Sequence, residues 1–221
     1  AAVGFGGFYL SVGALQGLVR SVFPTFYEKR IMPLPDKERY YYWALGPSTV
    51  HAVVQVVGTA TLLPRLVPTS ILECDVRTQV DYGTTGYGPT VYSGVFVGYL
   101  VADVCFLGPS KLGTAYVWHH VSASAAWTLA AALNIFQFMS SILQFAEFST
   151  IFMNARQFLL TAGYPSSSPV VLATSLTFFA SFFLVRVATL GPILYKWVVV
   201  DFPTLATHKS TTLALLYSGF L

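Results

Sequence analysis

Two adjacent histidines, His119 and His120, lie near the start of YVWHHVSASAAWTLAAAL at residues 116–133, a stretch otherwise apolar enough for lipid. An imidazole titrates near neutral pH, so it can act as general base or nucleophile, and a nearby carboxylate can orient it. Two carboxylates in apolar surroundings, Asp103 and Glu147, could do this. His119, His120, Asp103 and Glu147 are therefore the candidate catalytic groups, with the reaction left open. His51, Thr150, Asn154 and Arg156 also fall in apolar runs and extend the set to a candidate polar pocket for lipid.

Plainer roles compete with these. Arg156 and Arg186 sit near expected helix ends, where long cationic side chains snorkel to the interface. Asp103 could simply pair with a histidine or a backbone amide, and His51 could be a satisfied core group. Interhelical hydrogen bonds of about 0.6–2 kcal/mol each would account for the rest. No metal is expected, because no H-E-x-x-H or comparable ligand spacing occurs. No cofactor is expected either.

The elements that would carry these groups are membrane helices. The chain is 55% hydrophobic and only 10% charged, with mean hydropathy +0.64. Soluble domains carry roughly 25% charged residues, so this chain lacks the charge to cover a water-facing surface. A net charge of +3 without a basic run gives no reason to expect nucleic acid. Cys74 falls in a polar loop and Cys105 in an apolar run, so no internal disulfide is expected.

A helix needs about 20 apolar residues to cross a bilayer. Apolar runs at roughly 1–20, 43–64, 90–108, 112–133, 136–160, 169–191 and 204–221 predict an all-α, polytopic bundle of about seven spans. The near-absence of a linker at Asn134 predicts an antiparallel hairpin of spans four and five. No repeat or domain boundary interrupts the chain. The start AAVGFGGFYL has neither an initiator methionine nor a basic n-region, so a processed or partial start is expected rather than a signal peptide. The end falls inside LALLYSGFL, which suggests a trimmed chain or truncated last span.

Seven spans put the loops after spans one, three and five on one side. That side holds Arg20, Lys29, Arg30, Lys37, Arg39 and Lys111, against Arg65, Arg77 and Lys196 opposite, so it is the expected cytoplasmic or matrix side. At a rise of 1.5 Å per residue, His51, His119 and His120 fall about 10–12 Å below this basic side and Asp103 about 6 Å. Glu147 falls near mid-membrane, and Asn154 and Arg156 near the basic side. Arg186 falls near the opposite face. Glu147, Thr150 and Asn154 share one face of span five at spacings of three and four. His119 and His120 point about 100° apart, so one could face a pocket while the other meets a neighbouring helix.

The order GYLVADVCFL, HHVSASAAWTLAAAL, QFAEFSTIFMNARQFLLTAG, FFLVRVATLGPIL, with STVHAVVQVVG before it, resembles the TLC domain, the TRAM, Lag and CLN homology region. The resemblance covers about residues 40–195. It implies a TLC-type six-helix core around a lipid-accessible cavity, preceded by a span and polar loop at 1–39 and followed by a loop and last span at 196–221. Ceramide synthase members join an acyl chain to a sphingoid base, with paired histidines in their site, so the resemblance carries His119 and His120 over as pocket residues. Those members also have an aspartate motif of the H-D-x-S-D kind. The matching stretch here is AEFSTIFMNAR, with Glu147 and no aspartate. The departure points to the non-synthase branch, tied to membrane lipid composition or trafficking.

The expected function is binding or handling of an acyl or phospholipid group in an intramembrane polar cavity, with membrane lipids as partners. The resemblance implies the endoplasmic reticulum or another endomembrane. One alternative is an accessory subunit of a large organellar complex, for example in the mitochondrial inner membrane. Another is a lipid acyltransferase related to ceramide synthase.

Overall fold

The computed structural model describes residues 1–66, 88–108, 113–133, 137–196 and 198–199. Among them there are helices and no strands. The second loop with Cys74, the Asn134 linker, Lys111 and the last apolar run at 204–221 lie outside the described residues. Six of the seven expected spans are therefore described.

Helix α1 spans Ala2–Val22 and stops at Phe23, which at φ −127° and ψ 54° has left the helical region that a following proline disfavours. A short turn at Pro24–Phe26 and a π-helical turn at Tyr27–Ile31 lead to Pro33 and Pro35. Rings gather around this connection. Tyr27 lies 6.4 Å from Trp43, Phe26 6.5 Å from Tyr42, and the Arg20 guanidinium 5.1 Å from the Tyr27 ring. Tyr and Trp with a basic neighbour suit a membrane interface, with apolar rings inward and polar tips toward water.

Helix α2, Asp36–Leu66, has 31 residues. At 1.5 Å each it is about 46 Å long, more than the roughly 30 Å hydrocarbon core, so part of it projects beyond the lipid tails. Helix α3 is Gly88–Leu107 and α4 is Thr114–Leu133. The fifth span is split into α5, Gln137–Phe145, and α6, Phe148–Thr161. Helix α7, Pro169–Phe182, begins with proline in its first turn and with the Ser168 hydroxyl accepting from the Val171 N–H. It continues through a π-helical run at Phe183–Thr189 into α8, Leu190–Lys196.

Helix α2 sits at the centre and touches α1, α3, α5 and α6, while α4 packs on α3 and α7 on α6. Small residues permit the closest crossing. A β-carbon on Gly4 would overlap the Val95 carbonyl, and one on Gly98 would overlap the Ala1 carbonyl. Gly108, at φ +70°, ends α3, and Gly163, at φ +90°, follows α6. Both occupy the left-handed conformation that glycine supplies at helix C-termini.

The lipid side and the interior differ in composition. Ala2–Val22 and Pro169–Tyr195 are long and apolar enough to cross a bilayer, at mean hydropathy 1.4 and 2.0, and little of either is buried inside the protein. The inner helices instead bury His51, Gln55, Ser93, Asp103, His120, Gln144 and Asn154. Lipid offers such groups no partners, so all of them but His51 pair within the bundle.

The fifth span departs from the continuous helix expected at 136–160. At Ala146–Glu147 the backbone tightens to i→i−3 bonds, from Ala146 N to Leu143 O and from Glu147 N to Gln144 O. Neither proline nor glycine marks the break. The Ser149 hydroxyl donates to the Ala146 carbonyl, satisfying an acceptor next to the break.

Candidate functional site

The site grows from α3 and α4. Asp103, on the last turns of α3, is 1% exposed. The Tyr116 hydroxyl, from the first turn of α4, donates to Asp103 Oδ2 at 2.6 Å. His120, one turn further along α4, brings Nε2 to 3.1 Å from the same oxygen. Its Nδ1 lies 3.0 Å from the Tyr116 carbonyl, and the two rings stack with centroids 4.0 Å apart. Spacings of four place Tyr116 and His120 on one helical face, which makes this closed arrangement possible.

The proton bookkeeping is constrained. A carbonyl only accepts, so His120 Nδ1 carries a proton. At the same time Nε2 faces the Asp103 carboxyl oxygen. With both contacts in place, neither ring nitrogen of His120 is free. It is held in place rather than presented as a nucleophile.

His119 has the opposite surroundings. It is exposed, with its ring 5.6 Å from that of His120 and nearly perpendicular to it. The 100° rotation between neighbours on a helix separates the pair into one inward and one outward imidazole. Glu147 stands two residues before Ser149, the partner of the Arg186 guanidinium.

Arg186, expected near the opposite face, reaches the fifth span. Its Nε donates to the Ser149 hydroxyl at 3.4 Å, beside the break in the fifth span. Helical side chains lean toward their own N-terminus, which carries the Arg186 guanidinium back along its helix to Ser149. Thr150 hydrogen bonds to Glu147 at the same break.

The other expected pocket residues go to helix contacts. Asn154, 1% exposed, donates to the Ser48 and Thr49 hydroxyls at 2.9 and 3.1 Å and joins α6 to α2. Arg156 Nε donates to the Ser175 hydroxyl at 3.0 Å and joins α6 to α7. His51 stacks on Tyr99 at 3.8 Å and 8° and makes no hydrogen bond among the described residues. Among the described residues, no three His, Cys, Asp or Glu side chains converge as metal ligands would.

Sequence reasoning missed Tyr116 and Tyr99. Both are aromatic residues of a kind usually assigned to the interface or the core. The signal for Tyr116 is its spacing of four from His120, which puts a hydroxyl and an imidazole on the same face. Gln55 and Gln144 were also missed. They bind the Tyr92 carbonyl and the Ser93 hydroxyl, each at 3.3 Å, and extend the polar interior beyond the histidines.

A family model described as TLC domain matches residues 46–221. "TLC domain-containing protein 4-B" of Xenopus laevis is 32% identical over 115 residues, covering 51% of this chain and 44% of that protein. The Danio rerio protein of the same name is 31% identical over 98 residues, covering 43% of this chain and 37% of that protein. The matched stretches span less than half of either relative's own length. No solved structure matches.

Proposed function

The chain belongs to the TLC-domain family of membrane proteins, and from that premise we propose that it binds the polar end of a membrane lipid beside His119, Glu147 and Arg186. The observation that carries this reading is the division of labour in the histidine pair. His120 is fixed by Asp103 and Tyr116, which leaves His119 exposed on the same helix with its ring free to meet a ligand.

Arg186 supplies a cation for a phosphate or carboxylate oxygen, and the exposed His119 imidazole supplies one donor and one acceptor. Such a site holds an acyl or phospholipid group and so affects membrane lipid composition. The family points to an endomembrane as its setting. The stretch AEFSTIFMNAR lacks the aspartates of a ceramide synthase, which favours binding over N-acylation.

The test is lipid analysis of protein purified in mild detergent, with His119→Ala and Arg186→Gln alongside. Co-purified lipid lost in both variants, with no product from acyl-CoA and a sphingoid base, supports the reading. Robust N-acylation abolished in His119→Ala would replace it with acyltransferase activity. A large complex without bound lipid would replace it with the accessory-subunit role.

A further inference from the structure

A second feature lies apart from the Asp103 cluster. Helices α1, α2 and α3 together bound a groove of about 230 Å³. Its walls are Gly4, Gly7 and Phe8 of α1, Val50 and Val54 of α2, and Val95 of α3, with His51 and Tyr99 also lining it. Among the described residues, no Lys, Arg, Asp or Glu lines it. His51 is 5% exposed, and among the described residues neither of its ring nitrogens has a hydrogen-bond partner. Buried polar groups in native proteins are nearly always paired, so this imidazole calls for an explanation.

We propose that this groove is a second ligand site, which takes the chain of a neutral, hydroxyl-bearing single-chain lipid with its hydroxyl on His51. The apolar walls accept methylenes directly from the bilayer. A neutral imidazole presents one donor and one acceptor, and a hydroxyl can complement either. A charged headgroup would find no counter-charged carboxylate, ammonium or guanidinium there. The volume lies below the roughly 300–1,000 Å³ of small-molecule pockets, so it suits a segment of one chain rather than a whole diacyl lipid.

Gly7 offers a way to close the groove while keeping the histidine. A β-carbon there meets nothing within 4 Å, so a larger side chain enters open space. The experiment uses the purified full chain in phosphatidylcholine nanodiscs with hexadecanol carrying a photoreactive diazirine. Crosslinks are mapped by mass spectrometry. The expected result is labelling within residues 2–22 or 47–54, displaced by unlabelled hexadecanol but not by hexadecane. His51→Phe is expected to lower the yield about tenfold, the loss of roughly one hydrogen bond. Gly7→Leu is expected to lower it with His51 intact, so the proposal stays testable if His51→Phe fails to fold. His119→Ala is expected to leave it unchanged, which separates this groove from the site beside His119. Labelling spread over the lipid-facing surface, hexadecane or palmitate displacing the probe as well as hexadecanol does, yield unaffected by Gly7→Leu, or loss in His119→Ala would each overturn the proposal.

Discussion

His120 and His51 are buried to the same degree, 5% exposed each, yet they inhabit opposite environments. His120 touches a carboxylate and a carbonyl and stacks on a tyrosine. His51 touches rings, stacked on Tyr99 with Phe96 5.2 Å away. Burial alone therefore does not give a histidine's role. A fully paired imidazole in an apolar setting fixes geometry and resists change, because every partner it has would be orphaned by its loss. An unpaired one contributes little to the fold and keeps its hydrogen-bonding capacity for something else. Substitutions that remove partners around each ring test this contrast.

The largest effect is expected at Asp103. Asp103→Leu leaves the buried His120 imidazole without its acceptor and removes the acceptor of the Tyr116 hydroxyl as well. Breaking a buried charged pair from one side costs about 3–5 kcal/mol, because the remaining group is uncompensated. Thermal unfolding in detergent should show a large fall in midpoint. Asp103→Asn keeps an acceptor oxygen of the same shape and should fall less. Equal losses in the two variants would mean that packing around Asp103, and not its hydrogen bonding, holds the cluster.

A smaller loss is expected at Asn154, which ties α6 to α2 through two hydroxyls. Asn154→Leu removes both bonds. Interhelical hydrogen bonds in membranes average about 0.6 kcal/mol and reach about 1.7, so a fall of roughly 1–2 kcal/mol is expected by the same measurement. Its lipid binding should persist, because Asn154 serves a helix contact. Lipid loss without loss of stability would instead place Asn154 in the site.

The contrast between these residues also shows what the sequence made legible. Span positions and approximate depths followed from the 20-residue requirement and the 1.5 Å rise, and they brought Asp103 and the histidine pair to similar depths. Which imidazole turns inward was not legible, since both directions are open until the neighbouring helix is placed. Tyr116 escaped because its chemistry here depends on Asp103, a residue on another helix. Arg186 was assigned to the far side because counting residues tracks the α-carbon, whereas a guanidinium acts several ångströms away from it. The break at Ala146–Glu147 carries neither proline nor glycine, so local propensity gives no warning of it.

Tyr116→Phe removes the hydroxyl that donates to Asp103 and leaves the ring that stacks on His120. Asp103 keeps His120 as a partner, so the cost should be that of one hydrogen bond, about 1 kcal/mol. The informative readout is the His120 imidazole by NMR of selectively labelled protein. Retained stacking with a changed ring-nitrogen environment is expected, since Tyr116 and His120 share Asp103 Oδ2. An unchanged imidazole signal would mean that the tyrosine hydroxyl does not touch the pair.

The smallest stability effect is expected at His51, and here the sign is the result. His51→Phe replaces one planar ring by another between Tyr99 and Phe96. It removes two nitrogens that have no hydrogen-bond partner among the described residues. An unpaired buried polar group costs roughly 1–3 kcal/mol by mutational comparison, so its removal should raise stability, offset in part by the extra volume of a six-membered ring. A midpoint equal to or slightly above that of the unsubstituted protein is therefore expected in lipid-free detergent. Adding hexadecanol should stabilise the unsubstituted protein and not His51→Phe, because a ligand raises apparent stability only when it binds the folded state. A clear fall in stability without any alcohol present would mean that His51 already has a partner within the fold. The difference between the two buried histidines would then vanish.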